Sequence, residues 1–161
     1  MIVPVDRTLH PPKGFDFSGE WNCGEGASPA HLEVESRKLS TGSTALRLPG
    51  PWTEIRESQN GFNGNYFVGY DRVKSQFIMI DADDPSSVEY LTEGWNREEL
   101  MLTSTNDKDQ LALPHRIQFD INDSHRFTVT WELLDGAAWK AEPDFMCTKV
   151  DRLRSVTPPK R

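Results

Sequence analysis

FSGEWNCGEG occupies residues 17–26, and its placing of Gly19, Trp21 and Cys23 at every second position decides how the chain folds. Alternate residues of a strand project from the same face, so Trp21 and Cys23 point one way. Near the other end, PDFMCTKV at residues 143–150 puts Cys147 and Lys149 two apart in the same manner. In an antiparallel pair, the numbers of facing residues have a constant sum. Cys23 with Cys147 gives 170, and Trp21 with Lys149 gives 170 again. One register therefore joins two cysteines and sets a cation over an indole, provided the first and last strands are neighbours. A closed meander makes them so.

The sequence between these ends reads as strand after strand. HLEVESRKL alternates Leu32 and Val34 with Glu33 and Glu35. NYFVGYDRVKSQFIMIDA is a hairpin turning at DRVK, with Tyr66, Val68 and Tyr70 on one face. In its second arm Phe77, Met79 and Asp81 oppose Ile78 and Ile80. SSVEYLTEGW and ELMLTST form another hairpin, and HRIQFDI and HRFTVTWEL are separated by the turn signal NDS. LLDGAAW then turns into the last strand. A helical segment near Pro29 is allowed but nothing requires it. The expected fold is all-β, an antiparallel up-and-down β-barrel of about ten strands, because a closed meander leaves no exposed edge. Residues 1–14 read as an extended arm, 15–152 as one barrel domain and 153–161 as a tail.

Composition narrows the function. The 161 residues suffice for a single core, and a net charge of −7 argues against a nucleic-acid partner, which needs a cationic surface. No apolar run reaches membrane-spanning length, so a soluble chain without a membrane span is expected. The start lacks a signal peptide's charged and apolar regions, which fits a cytoplasmic protein or one whose export signal has been removed. The four histidines and two cysteines show no zinc spacing, and no metal site is expected. GFNGN at 61–65 is a turn, not a phosphate loop, and no G-x-S-x-G or H-E-x-x-H occurs.

The two cysteines leave two readings. Facing strand residues stand about 4.5–5.5 Å apart, within disulfide range, and a bond would close a loop of 147 − 23 = 124 residues. The other reading is a pair of buried thiols acting as small hydrophobes. For Lys149, the expectation is a methylene stem laid on Trp21 with a cation–π attraction of about 0.5–2 kcal/mol.

These residues also carry a resemblance. Gly19 and Trp21 opening the first strand, met by Lys149 from the last, resemble the barrel-closing signature of the calycins: lipocalins, fatty-acid-binding proteins and nitrobindin-like proteins. More narrowly, the chain resembles a lipocalin-like bacterial family of unknown function. The similarity rests on Phe17, Gly19, Trp21 and Cys23; Gly69, Tyr70 and Asp71; Phe77 and Asp81; Gly94 and Trp95; and Cys147, Thr148 and Lys149. It implies a barrel over about residues 15–150. Heme-binding relatives raise a porphyrin cofactor, which needs an axial ligand such as His. None of His10, His31, His115 and His125 lies in the closing strand, where the resemblance would put it, so heme is not favoured and no cofactor is expected.

Leu32, Val34, Leu46, Leu48, Phe77, Met79, Met101, Ile117, Phe119, Phe127, Val129 and Trp131 fall on faces that line a cavity or fill the core. From them and the tyrosine strand, the expected ligand-binding set is Tyr66, Val68, Tyr70, Phe77, Met79, Met101, Phe119, Phe127 and Trp131. Two phenols and the Asp81 carboxylate aimed into apolar space could orient a small molecule. Asp81 could instead open the turn DADDPSS. The leading expectation is a barrel that binds a small, mainly hydrophobic molecule. An isomerase or cyclase would use Asp81, Tyr66, Tyr70 or His115 for proton transfer. A third class is a barrel filled with side chains that serves as an interaction protein. Oligomeric state is not legible.

Overall fold

The computed structural model describes residues 9–24, 30–39, 50–71, 75–83, 89–105 and 114–151. Pro29, Leu46, Leu48, the centre of the DRVK turn and the tail from 152 lie outside them. No α-helix occurs among the described residues. The strands are β1 (Gly19–Cys23), β2 (Ala30–Leu39), β3 (Gly50–Gln59), β4 (Phe62–Asp71), β5 (Gln76–Asp81) and β6 (Tyr90–Thr92). After them come β7 (Trp95–Asn96), β8 (Glu99–Ser104), β9 (His115–Asp123), β10 (Arg126–Asp135), β11 (Ala138–Ala141) and β12 (Phe145–Lys149).

Ten strands close a ring in the order β1-β2-β3-β4-β5-β6-β8-β9-β10-β12 and back to β1, every pairing antiparallel. β7 and β11 are short additions beside β8 and β10. The all-β closed meander read from the sequence is the fold. β11 was not foreseen: LLDGAAW turns into β11 alongside the second half of β10, and β12 then pairs with the first half. GFNGN is corrected too. The turn is Asn60–Gly61, both at positive φ as a two-residue hairpin loop requires, and Phe62–Asn65 already belong to β4.

The closing register is the one the arithmetic gave. Trp21 faces Lys149 and Cys23 faces Cys147, and the two cysteines are joined as a disulfide. Trp21 is fully buried, its indole N–H donates to the Phe17 carbonyl at 3.0 Å, and Lys149 Nζ stands 5.2 Å from the ring centroid. The same ammonium donates to the Asp16 carbonyl at 3.0 Å, tying the segment before β1 to the closing strand. Gly19 sits at φ +116°, and a Cβ there would stand 3.2 Å from Lys149 Cε, so both backbone and space call for glycine.

Alternation divides the barrel into an inside and an outside. Inside, Phe15, Phe17, Trp21, Phe119 and Phe127 interlock with Trp95 at ring spacings of 4.7–6.4 Å and fill one end. Leu9, from the stretch expected as an extended arm, packs against this cluster. A second buried cluster, Trp52, Phe67, Ile78 and Ile80, lies on the opposite face of β3, β4 and β5. There the Trp52 ring lies directly over Gly69.

Candidate functional site

Away from the aromatic plug the interior is hollow. A cavity of about 100 Å³ is enclosed by Leu32, Ile55, Met79, Ile117, Phe119, Val129 and Phe145, with Cys23 and Ala30 beside them. Tyr66, Tyr90, Trp131 and Glu57 complete the wall and supply its polar side chains.

These groups are held by strand register. Tyr66 on β4 faces Ile55 on β3 and Asp81 on β5. Its ring folds back over Gly64, which itself faces Glu57. Tyr90 on β6 shares a hydrogen bond between its hydroxyl and His115 Nε2, and the His115 ring stacks on Trp131 with centroids 6.0 Å apart. The His115 amide donates to Ser104 Oγ at 3.0 Å, which anchors the start of β9 against the end of β8. Asp81 serves the turn and is not itself on the cavity wall. It shares the inward face of Met79, and its Oδ1 accepts the Asp83 amide at 2.9 Å to open the turn.

The electrostatics follow from burial. Desolvation, reinforced by Glu57, Asp81 and Asp83, pushes the Tyr66 phenol up to about 12. Desolvation, with Tyr66 and Asp81 adding to it, takes Tyr90 to about 12 as well. Both phenols are therefore neutral donors at ordinary pH. Burial likewise raises the Glu57 carboxyl above its usual range.

Of the expected ligand-binding residues, Tyr66, Met79, Phe119 and Trp131 line the cavity. Val68 is buried in the core and Phe127 belongs to the aromatic plug, neither on the cavity wall. Tyr70 and Phe77 face each other edge-on at 5.3 Å, off the cavity wall. Met101 is misplaced by the sequence reading. It stands on the outer face of β8 with Thr103, beside Leu91, while its neighbours Leu100 and Leu102 point into the core. Of the catalytic candidates, Tyr66 lines the cavity, Asp81 faces Tyr66 across the β4–β5 pairing, His115 contacts the wall residues Tyr90 and Trp131, and Tyr70 is off the wall.

Glu57 and Tyr90 were missed. Tyr90 lay in a segment already read as a strand, and its alternation with Leu91 was the available signal. Glu57 sits in TEIRESQ, a strand whose glutamates make both faces look equally polar, so periodicity could not single it out.

One cluster among the described residues could hold a metal ion. Glu20, His31 and Glu33 bring donor atoms within 4.8 Å of one another on the outer face of β1 and β2. His31 Nε2 lies 3.9 Å from Glu20 and 3.8 Å from Glu33, and Asn22 holds its Nδ1 at 3.1 Å. Arg56 already engages Glu33 at 3.0 Å, so the cluster is part of a half-buried ion-pair network.

Fold and cavity together define a closed antiparallel barrel, plugged at one end and hollow at the other, an architecture compatible with a calycin-like fold. Scans against protein-family models, curated proteins and solved structures find no match to the chain. No helix among the described residues is long and apolar enough to cross a membrane.

Proposed function

We propose that this is a calycin-like barrel that binds a small, mainly hydrophobic molecule in its hollow end. The observation that carries this reading is the apolar cavity beneath the Tyr66–Tyr90–His115 rim. Apolar walls with a few convergent polar groups are the usual design of a small-molecule pocket. Size restricts the ligand. A drug-sized molecule needs roughly 300 Å³ or more, whereas a single benzene fits a cavity of about 150 Å³. The about 100 Å³ here is smaller than that and takes a short chain, or the tip of a longer molecule whose remainder lies outside the mouth.

Native mass spectrometry of the protein as isolated, followed by denaturation to release what it carried, tests the reading. A bound small molecule, lost when Val129→Phe fills the cavity, is expected. A chain that carries nothing, and whose cavity resonances stay fixed when small apolar compounds are added, would overturn it.

A second reading is favoured by the Tyr90–His115 hydrogen bond on the rim. In an isomerase or cyclase this pair would move a proton to or from a substrate atom at the cavity mouth, with Tyr66 and Asp81 beside it. Comparing the molecule supplied with the molecule released separates the two: a carrier returns it unchanged.

A further inference from the structure

Resting on the binding reading above, we infer that the cavity selects a small aliphatic amine, held by its ammonium against Glu57 with its apolar body inside. Among the described residues Glu57 is the one formally charged residue on the cavity wall, and no Lys or Arg accompanies it there. Among the described residues the Glu57 carboxylate makes no hydrogen bond or ion pair. Its neighbour Arg56 is turned to the outer face, where it reaches Glu33 at 3.0 Å, Glu54 at 3.4 Å and Glu35 at 3.7 Å. A half-buried carboxylate without a cation is an unfavourable arrangement in the free protein, since burial opposes its charge. A ligand ammonium relieves that arrangement with a charge-assisted hydrogen bond.

The surroundings point the same way. Asp81 and Asp83 act on the same phenol, Tyr66, as Glu57 does, so the mouth is an anionic field. Tyr66, Tyr90 and Trp131 present aromatic rings around it, and cations are attracted to such faces by about 0.5–2 kcal/mol. An anionic ligand would meet three carboxylates. A neutral one would leave Glu57 desolvated and unpaired.

The test titrates the full chain with three isosteres of cavity size: n-butylamine, 1-butanol and butyrate, followed by calorimetry at neutral pH. The amine is expected to bind at least about tenfold more tightly than the alcohol, and butyrate to bind weakest. In Glu57→Gln the amine and alcohol should converge to within about twofold, while the unliganded variant melts higher than the wild type because the desolvated charge is gone. Alcohol binding as tightly as amine in the wild type, or a preference unchanged in Glu57→Gln, would sink the amine assignment and leave the barrel a binder of apolar molecules. Absence of binding by all three would overturn both.

Discussion

The phenol of Tyr66 lies folded over Gly64, so that a Cβ built on Gly64 would stand 2.7 Å from Tyr66 Cε2 and 2.9 Å from its hydroxyl. The absence of one methyl group thus sets the position of a cavity-wall residue two positions along the same strand. Gly64→Ala must swing the ring away. The expected result is a loss of about 1–3 kcal/mol in stability, together with a Tyr66 that ionises earlier than about 12 as it gains solvent. Denaturant melts and an ultraviolet titration of the phenols check the two effects separately. Unchanged Tyr66 titration would mean the ring does not depend on Gly64.

Alkaline pH should loosen the protein. A phenol whose pKa is higher folded than unfolded favours the fold while protonated. Its contribution is whole below the unfolded value of about 10 and is lost as pH rises towards the folded value. Tyr66 and Tyr90 both reach about 12, so the thermal midpoint is expected to fall between pH 10 and 12 through these two groups. Tyr66→Phe and Tyr90→Phe should each flatten part of that fall. A double variant with the full wild-type slope would rule the phenols out as its source.

At the closed end, Lys149→Met retains the stem over Trp21 but removes the ammonium and its 3.0 Å bond to the Asp16 carbonyl. A cost of about 1–2 kcal/mol is expected. Gly19→Ala meets Lys149 Cε and the φ of +116° together, and should cost about 1–3 kcal/mol. If the strain at Gly19 comes partly from Lys149, combining Gly19→Ala with Lys149→Ala should cost less than the sum of the two singles.

The Cys23–Cys147 bond spans a sequence separation of 124 and fastens β1 to β12 at the seam of the ring. Restricting so long a loop in the unfolded chain is worth about 3–5 kcal/mol. Cys23→Ala with Cys147→Ala should lower unfolding stability by that order, read from denaturant midpoints under non-reducing conditions. The barrel itself should persist, because the ladder between β1 and β12 does not depend on the bond. Loss of strand signal in the far ultraviolet would show instead that the bond is needed for closure.

Much of this was legible in the sequence because strand information is local. Alternation with a period of two divides each strand into two faces, and Asn, Asp and Gly mark the turns between them. Two matched pairs, Trp21 with Lys149 and Cys23 with Cys147, fixed the seam, since one register satisfies both. Periodicity does not say which face turns inward, as Met101 against Leu100 and Leu102 demonstrates. It also missed that Ile78 and Ile80 would be buried on the outside with Trp52 and Phe67.

By itself, then, the sequence determined an all-β meander, its ends and the residues that clasp them. The tertiary structure alone decided that the interior is plugged at one end and hollow at the other, and that Glu57, Tyr66, Tyr90 and His115 meet at the mouth. Those residues come from β3, β4, β6 and β9, and their meeting depends on the five registers that link β3 to β9 round the ring. Whether a space is left empty depends on the summed volumes of side chains from nearly every strand. Neither quantity is carried by any one segment of the chain.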